Sequence, residues 1–150
     1  EKYVHEYKGV NSRMDEIQAA VLSLKLGRLD EDNDRRREIA RLYDQGIQNP
    51  LVTLPLAASE PESNVYHIYP VRCPARRQLQ ECLAAHGIQA QIHYPTPPHK
   101  QAAYAEWADR KYRVTERIHA EELSLPISPV LTNEEVKRVI DAVNAFNVEL

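Results

Sequence analysis

The chain has 150 residues, 43% hydrophobic and 27% charged, with 19 Lys and Arg against 22 Asp and Glu and a formal net charge of -3. One domain of that length buries roughly 70% of the surface its unfolded form exposes without a disulfide or metal staple, and the mild negative charge gives no general pull toward nucleic acid or an anionic membrane. Cys73 and Cys82 form no Cys-x-x-Cys pair and have no histidine nearby at zinc-ligand spacing, and no apolar run approaches the roughly 20 residues of a membrane span, so free thiols, no metal site and a soluble cytoplasmic protein with no signal peptide are expected.

In chain order, Ser12 and Asp15 have capping-box spacing, and Met14, Ile17, Val21 and Leu24 then recur at helical spacing, which predicts a helix from near Arg13. A second apolar row, Leu22, Leu26 and Leu29, predicts burial against two partners. Helix is expected to resume or continue through Arg35 to Tyr43, with Gly46, Asn49 and Pro50 ending it. Met14, the only methionine of a chain that starts at Glu1, lies inside this helix, and a piece of a longer protein is therefore expected. Residues 51–64 read as a short extended piece and an exposed connection, and Val65 to Arg72 as a strand that Pro70 pushes toward a sheet edge or a strand end. Arg76 to His86 carries Leu79, Cys82 and Leu83 on one helical face before Gly87, a left-handed C-cap. A strand is predicted over Ile88 to Tyr94, helices around Gln101 to Trp107 and Arg110 to Glu122, and a strand at Leu123 to Ile127. Thr132 and Glu135 form a further capping box before Val136, Val139, Ile140, Val143 and Phe146 on one face. The expected fold is α+β: a long helix, then a small three-stranded sheet covered by helices.

Two segments carry chemistry. Gly9, Asn11 and Arg13 precede the predicted helix start, where unpaired N–H groups and the helix dipole attract phosphate; an amide, a guanidinium and a permissive glycine suit that role. A plain N-cap with a surface arginine fits the same spacing, and Asp15 and Glu16 oppose the field. His93 and Tyr94 end a predicted strand before Pro95, Pro97 and Pro98, which stiffen a turn presenting His99. A satisfied structural histidine is the alternative there. Arg35, Arg36 and Arg37 read as a solvated helix face, and Tyr104 and Trp107 as packing on the sheet.

The run Gly9-Val10-Asn11-Ser12-Arg13-Met14-Asp15-Glu16-Ile17-Gln18-Ala19-Ala20, together with Gly87-Ile88, Ile92-His93-Tyr94-Pro95, Pro98-His99-Lys100-Gln101 and Ala103-Tyr104, resembles the C-terminal part of the DegT/DnrJ/EryC1/StrS sugar aminotransferases. His67 to Arg72, Leu123 to Ile127 and Thr132 to Val136 extend the resemblance over nearly the whole chain. It departs at Asp32-Asn33-Asp34, where many relatives carry Trp-Asn before the arginine pair, and at Gln89 and Ala90, where many have Gly-Thr. The resemblance implies the C-terminal small domain of a fold-type I enzyme dependent on pyridoxal 5'-phosphate (PLP), with residues 1–150 including a connecting helix near 12–45 and the large PLP-binding domain absent. It implies that Asn11, with Arg13 as a helper or a structural residue, reaches the cofactor phosphate of a neighbouring subunit in a homodimer. It implies that His93, with Tyr94 and His99 behind it, holds the nucleotide-sugar substrate.

None of Lys2, Lys8, Lys25, Lys100, Lys111 and Lys137 lies in a segment like the family's Schiff-base motif, so this chain holds no catalytic residue, is not expected to bind PLP covalently and is expected to be inactive alone. The implied reaction of the parent is amino transfer, usually from glutamate, to a keto sugar linked to a nucleotide, in deoxyamino-sugar and cell-surface polysaccharide (lipopolysaccharide) biosynthesis. The proline-histidine run is most similar to the branch acting on dTDP-linked 3-keto-6-deoxyhexoses. The alternative is a non-catalytic α+β binding or dimerisation module descended from such an enzyme.

Overall fold

The computed structural model describes residues 2–57 and 59–148. The first helix, α1 (Glu16–Leu26), starts later than the spacing predicts, because Asp15 and not Ser12 is its N-cap. The Asp15 carboxylate accepts from the Ile17 N–H at 2.8 Å, and the Gln18 side chain accepts from the Asp15 N–H at 3.2 Å. Gly27, a residue that costs about 1 kcal/mol in a helix interior, divides the connecting helix expected near 12–45: α1 stops there and α2 (Leu29–Gly46) begins two residues on. No residue of α1 is buried; both apolar rows stand in solvent, with Ile17 77% and Leu24 82% exposed.

From α2 onward the molecule has a core. α2 buries Ile39, Ala40 and Tyr43. The apolar stripe of α5 (Asn133–Ala145), Val136, Val139, Ala142 and Val143, packs on α2 and on α3 (Arg76–Ala85), which buries Leu79 and Leu83. The Thr132–Glu135 capping box forms as the sequence predicts, with reciprocal bonds of 2.8 and 3.2 Å. Where α2 and α5 end, each closes the other. Asn49 donates from its side chain to the Val143 and Phe146 carbonyls, both at 2.7 Å, and Asn144 donates to the Gly46 carbonyl at 2.8 Å. These amides satisfy carbonyls that a helix end leaves unpaired. Gly46 permits the approach, since a Cβ there would lie 2.9 Å from Ile140 Cδ1.

The sheet is one antiparallel pair, β1 (Tyr69–Arg72) with β2 (Glu122–Leu125), where β2 follows directly from α4 (Arg113–Glu121). Tyr69 lies opposite Leu125 and Val71 opposite Leu123, and these four face the core; Arg72 and Pro70 lie opposite Glu122 and Ser124 on the other face. Single bridges extend the pair on each side, Thr53 to Arg72 and Gln91 to Ser124. The third strand expected over Ile88 to Tyr94 is therefore present as one bridge, its Gln89 and Gln91 exposed. Pro70 fits because Arg72 N–H points at Thr53 and Pro70, two residues earlier, turns its missing donor to that same outer edge.

The arginine run does not form a solvated face. Arg35, Arg36 and Arg37 are half-buried and donate to the carbonyls of Leu131, Ile127 and Asn64, so the first two tie α2 to the loop between β2 and α5 and the third ties it to the loop before β1. Burial pushes the Tyr43 and Tyr69 phenols upward, Tyr69 further through its hydrogen bond to Asp44; Tyr43 donates to the Pro126 carbonyl at 2.7 Å.

Candidate functional site

Glu122 and Ser124 alternate with core-facing Leu123 and Leu125, so β2 presents a carboxylate and a hydroxyl on its other face. Both are buried, Glu122 8% and Ser124 4% exposed, and both are satisfied. Ser124 donates its hydroxyl to Glu122 Oε1 at 2.6 Å, and the His93 backbone N–H donates to Glu122 Oε2 at 3.1 Å. His93 Nδ1 lies 2.9 Å from Ser124 Oγ. The histidine is thus held at its main chain and at one ring nitrogen by the same pair. It borders a cavity of about 280 Å³ with His67, Gln89, Gln91 and Ile127.

The next residue turns elsewhere. Tyr94 has a φ of 53°, a left-handed conformation that costs a bulky residue on the order of 1–2 kcal/mol. Its carbonyl accepts from His119 Nδ1, and its ring, 63% exposed, meets the Tyr3 ring edge-on at 5.6 Å. Tyr94 lines a second cavity, of about 510 Å³, with His5, Lys8, Gln101, Tyr104 and His119. The residues before α1 wall this cavity. Ala103 N–H donates to the His5 carbonyl and the Gln101 side chain to the Tyr3 carbonyl, both at 2.9 Å, and Lys8 pairs with Glu106 at 2.6 Å, which raises the Lys8 amine and lowers the Glu106 carboxyl.

His99 borders neither cavity. It is 3% exposed, donates from Nε2 to Glu116 Oε1 at 2.9 Å and meets the Tyr112 ring at 4.9 Å, so it ties the proline turn to α4; that bond holds the Glu116 carboxyl below its ordinary value. Tyr104 and Trp107 also depart from expectation. They stack on each other at 4.7 Å rather than on the sheet, with Lys8 and Arg110 over their faces.

Asn11 and Arg13 are exposed, on the segment leading to α1, and neither makes a hydrogen bond or ion pair among the described residues. They do not sit at the helix start. The Asp15 carboxylate, itself an anion, takes that place, and Gly9 has nothing within 4 Å of where a Cβ would stand, so no close backbone approach uses it. Two free donors, an amide and a guanidinium, remain to offer an anionic group. Among the described residues no group of acidic, histidine or cysteine side chains is placed to hold a metal, and no helix is long and apolar enough to cross a membrane. The sequence pattern left Glu122, Ser124 and His119 unassigned; the signal available was Ser124 between two leucines of the predicted strand, with Glu122, placed at the end of the predicted helix, in step with it two residues before.

The profile of the DegT/DnrJ/EryC1/StrS aminotransferase family matches residues 1–144. The chain is 52% identical over 145 residues to dTDP-3-amino-3,6-dideoxy-alpha-D-galactopyranose transaminase of Aneurinibacillus thermoaerophilus, covering 97% of this chain and 40% of that protein. It is 42% identical over 149 residues to dTDP-3-amino-3,4,6-trideoxy-alpha-D-glucose transaminase of Streptomyces venezuelae, covering 97% and 39%. The crystal structure of S. venezuelae DesV superposes with a TM-score of 0.82 at 42% identity, covering 99% of this chain and 41% of that one. The chain spans about 40% of the length of the curated relatives it matches.

Proposed function

We propose, from the premise that this chain belongs to the DegT/DnrJ/EryC1/StrS aminotransferase family, that it is the C-terminal small domain of a PLP-dependent transaminase acting on a keto sugar carried by a nucleotide. The observation that carries this reading is the 52% identity, over nearly the whole chain, to a dTDP-amino-sugar transaminase. A dTDP-linked 3-keto-6-deoxyhexose as acceptor, glutamate as amino donor, and a role in deoxyamino-sugar and cell-surface polysaccharide synthesis in the cytoplasm complete the reading.

The cofactor, when bound, supplies the electron sink that lets the amino group move between donor and acceptor. The donor set of this chain fits its phosphate: the Asn11 amide and Arg13 guanidinium are exposed and unpartnered among the described residues, on a segment that has no buried residue of its own beyond it in α1. We infer that they reach the phosphate held by the other subunit of a homodimer, and that the exposed apolar rows of α1 are covered in that assembly. His93 orients the sugar, and the Tyr94 ring borders the approach. His99, tied to Glu116, acts by holding the proline turn in place rather than by touching substrate. The lysine that anchors the cofactor lies outside this chain, which is accordingly inactive alone.

The test is made in the complete enzyme. His93→Ala is expected to raise the KM for the keto sugar about tenfold while PLP affinity is unchanged, and Asn11→Ala to weaken PLP binding about tenfold with little change in that KM, each the loss of one hydrogen bond to a charged or desolvated group. Unchanged values in both variants would overturn the assignment.

A further inference from the structure

We propose that Glu122 and Ser124 are positioning residues that fix His93 as the Nδ1–H tautomer, so that Nε2 meets the sugar as a hydrogen-bond acceptor and takes a hydroxyl donor. This rests on the reading of His93 as a sugar contact. Both Glu122 carboxylate oxygens accept, Oε2 from the His93 backbone N–H at 3.1 Å and Oε1 from the Ser124 hydroxyl at 2.6 Å. A serine hydroxyl has one hydrogen, and here it is spent on the carboxylate. Ser124 Oγ, 2.9 Å from His93 Nδ1, is left only its lone pairs, so the proton in that contact belongs to Nδ1. In neutral imidazole the other nitrogen then carries no hydrogen. His93 Nε2 has no hydrogen bond among the described residues, and no unpartnered side-chain polar atom there is buried, so this lone pair is open to the surroundings.

The network has little freedom to rearrange. Glu122 and Ser124 are both buried on a strand whose register with β1 is set by core-facing neighbours; the Arg76 guanidinium donates to the backbone carbonyls of His119 and Glu122, and Arg72, across the strand, pairs with Glu121, rather than either meeting the Glu122 carboxylate. A buried acceptor without such partners would carry a desolvation cost, which keeps both bonds made. A hydroxyl next to a keto carbon is a donor of the kind that an unprotonated Nε2 recognises, whereas an analogue bearing only an acceptor at that place is refused.

The isosteric change Glu122→Gln gives the decisive test. The His93 N–H holds the amide carbonyl at the Oε2 position, which puts the amide NH2 against Ser124 Oγ. The serine must then turn its hydrogen to His93 Nδ1, and the proton moves to Nε2. Long-range nitrogen–proton NMR spectra of the chain in alkaline buffer, where imidazoles are neutral, read this directly. The expected result is Nδ1–H in the native chain and Nε2–H in Glu122→Gln, with Ser124→Ala also losing the Nδ1–H form. Nε2–H in the native chain, or no change in Glu122→Gln, would overturn the proposal. In the complete enzyme, Glu122→Gln is expected to raise the KM for a dTDP-linked 3-keto-6-deoxyhexose about tenfold, the loss of one hydrogen bond, and to alter kcat less. An unchanged KM in His93→Ala would remove the sugar contact while leaving the tautomer result standing; a failed tautomer result with a raised KM in His93→Ala would remove only the positioning role.

Discussion

The body of the chain, α2 to α5, and the N-terminal arm that leads into α1 are made of the same kinds of residues and treat them in opposite ways. In the body, Ile39, Tyr43, Leu79, Leu123, Val136 and Val143 have no exposed surface, and polar groups find partners, down to the crossed asparagine caps of α2 and α5. In α1, Ile17, Val21, Leu22, Leu24 and Leu26 stand in water, and the bonds that hold the helix, the Asp15–Gln18 box among them, are local. An 11-residue helix lies below the length at which helices hold alone in water, roughly 12–15 residues. The proposed site is divided along the same line. His93 is built on the body and is preformed, while Asn11 and Arg13 ride on the arm and wait for whatever covers α1.

The contrast breaks or sharpens under substitution. Leu123→Ala, in the body, is expected to lower unfolding free energy by about 2–5 kcal/mol in denaturant melts, and Leu24→Ala, in α1, to change it by no more than about 0.5 kcal/mol. Equal costs would mean that α1 is part of the same cooperative unit. Asn49→Ala leaves the Phe146 carbonyl without its donor and takes one of two donors from the Val143 carbonyl, and should cost about 1–3 kcal/mol. The two capping boxes offer a matched pair, each worth about 1 kcal/mol. Thr132→Ala should lower the melting midpoint of the whole body, whereas Asp15→Ala should melt α1 alone, seen as lost amide protection over residues 16–26 with the midpoint unmoved. The smallest effect is electrostatic. Because His99 lowers the Glu116 pKa in the fold, that pair stabilises above the ordinary glutamate value of 4.5 and its contribution is lost as pH falls below it; Glu116→Gln should flatten this part of the acid limb.

Much of this was legible from local signals. α5 carries its capping box and its apolar stripe within fifteen residues, and α3 its stripe and a terminal Gly87 whose φ of 72° only glycine adopts freely. What periodicity does not carry is pairing across the chain. Ile88 to Tyr94 has strand composition yet meets β2 at one bridge, and whether an apolar row such as Leu22, Leu26 and Leu29 is buried depends on a partner outside it. The arginines of α2 looked solvated because their acceptors are carbonyls as far as 96 residues away. The site shows the same limit. His93 was visible beside its prolines, but Glu122 and Ser124, which hold it, lie 29 and 31 residues on in another strand.

The claim that the arm completes a site in another subunit is tested most directly by subunit mixing in the complete enzyme. One subunit carries Asn11→Ala, and its partner carries the native Asn11 with the cofactor lysine replaced. In a twofold dimer, random exchange makes about half the dimers hybrids, each with one intact site, so at a PLP concentration low enough to leave Asn11→Ala largely unloaded, transaminase activity should rise to about a quarter of the native value. Activity no greater than the sum of the unmixed parents would contradict the account, since Asn11 would then serve its own subunit or none.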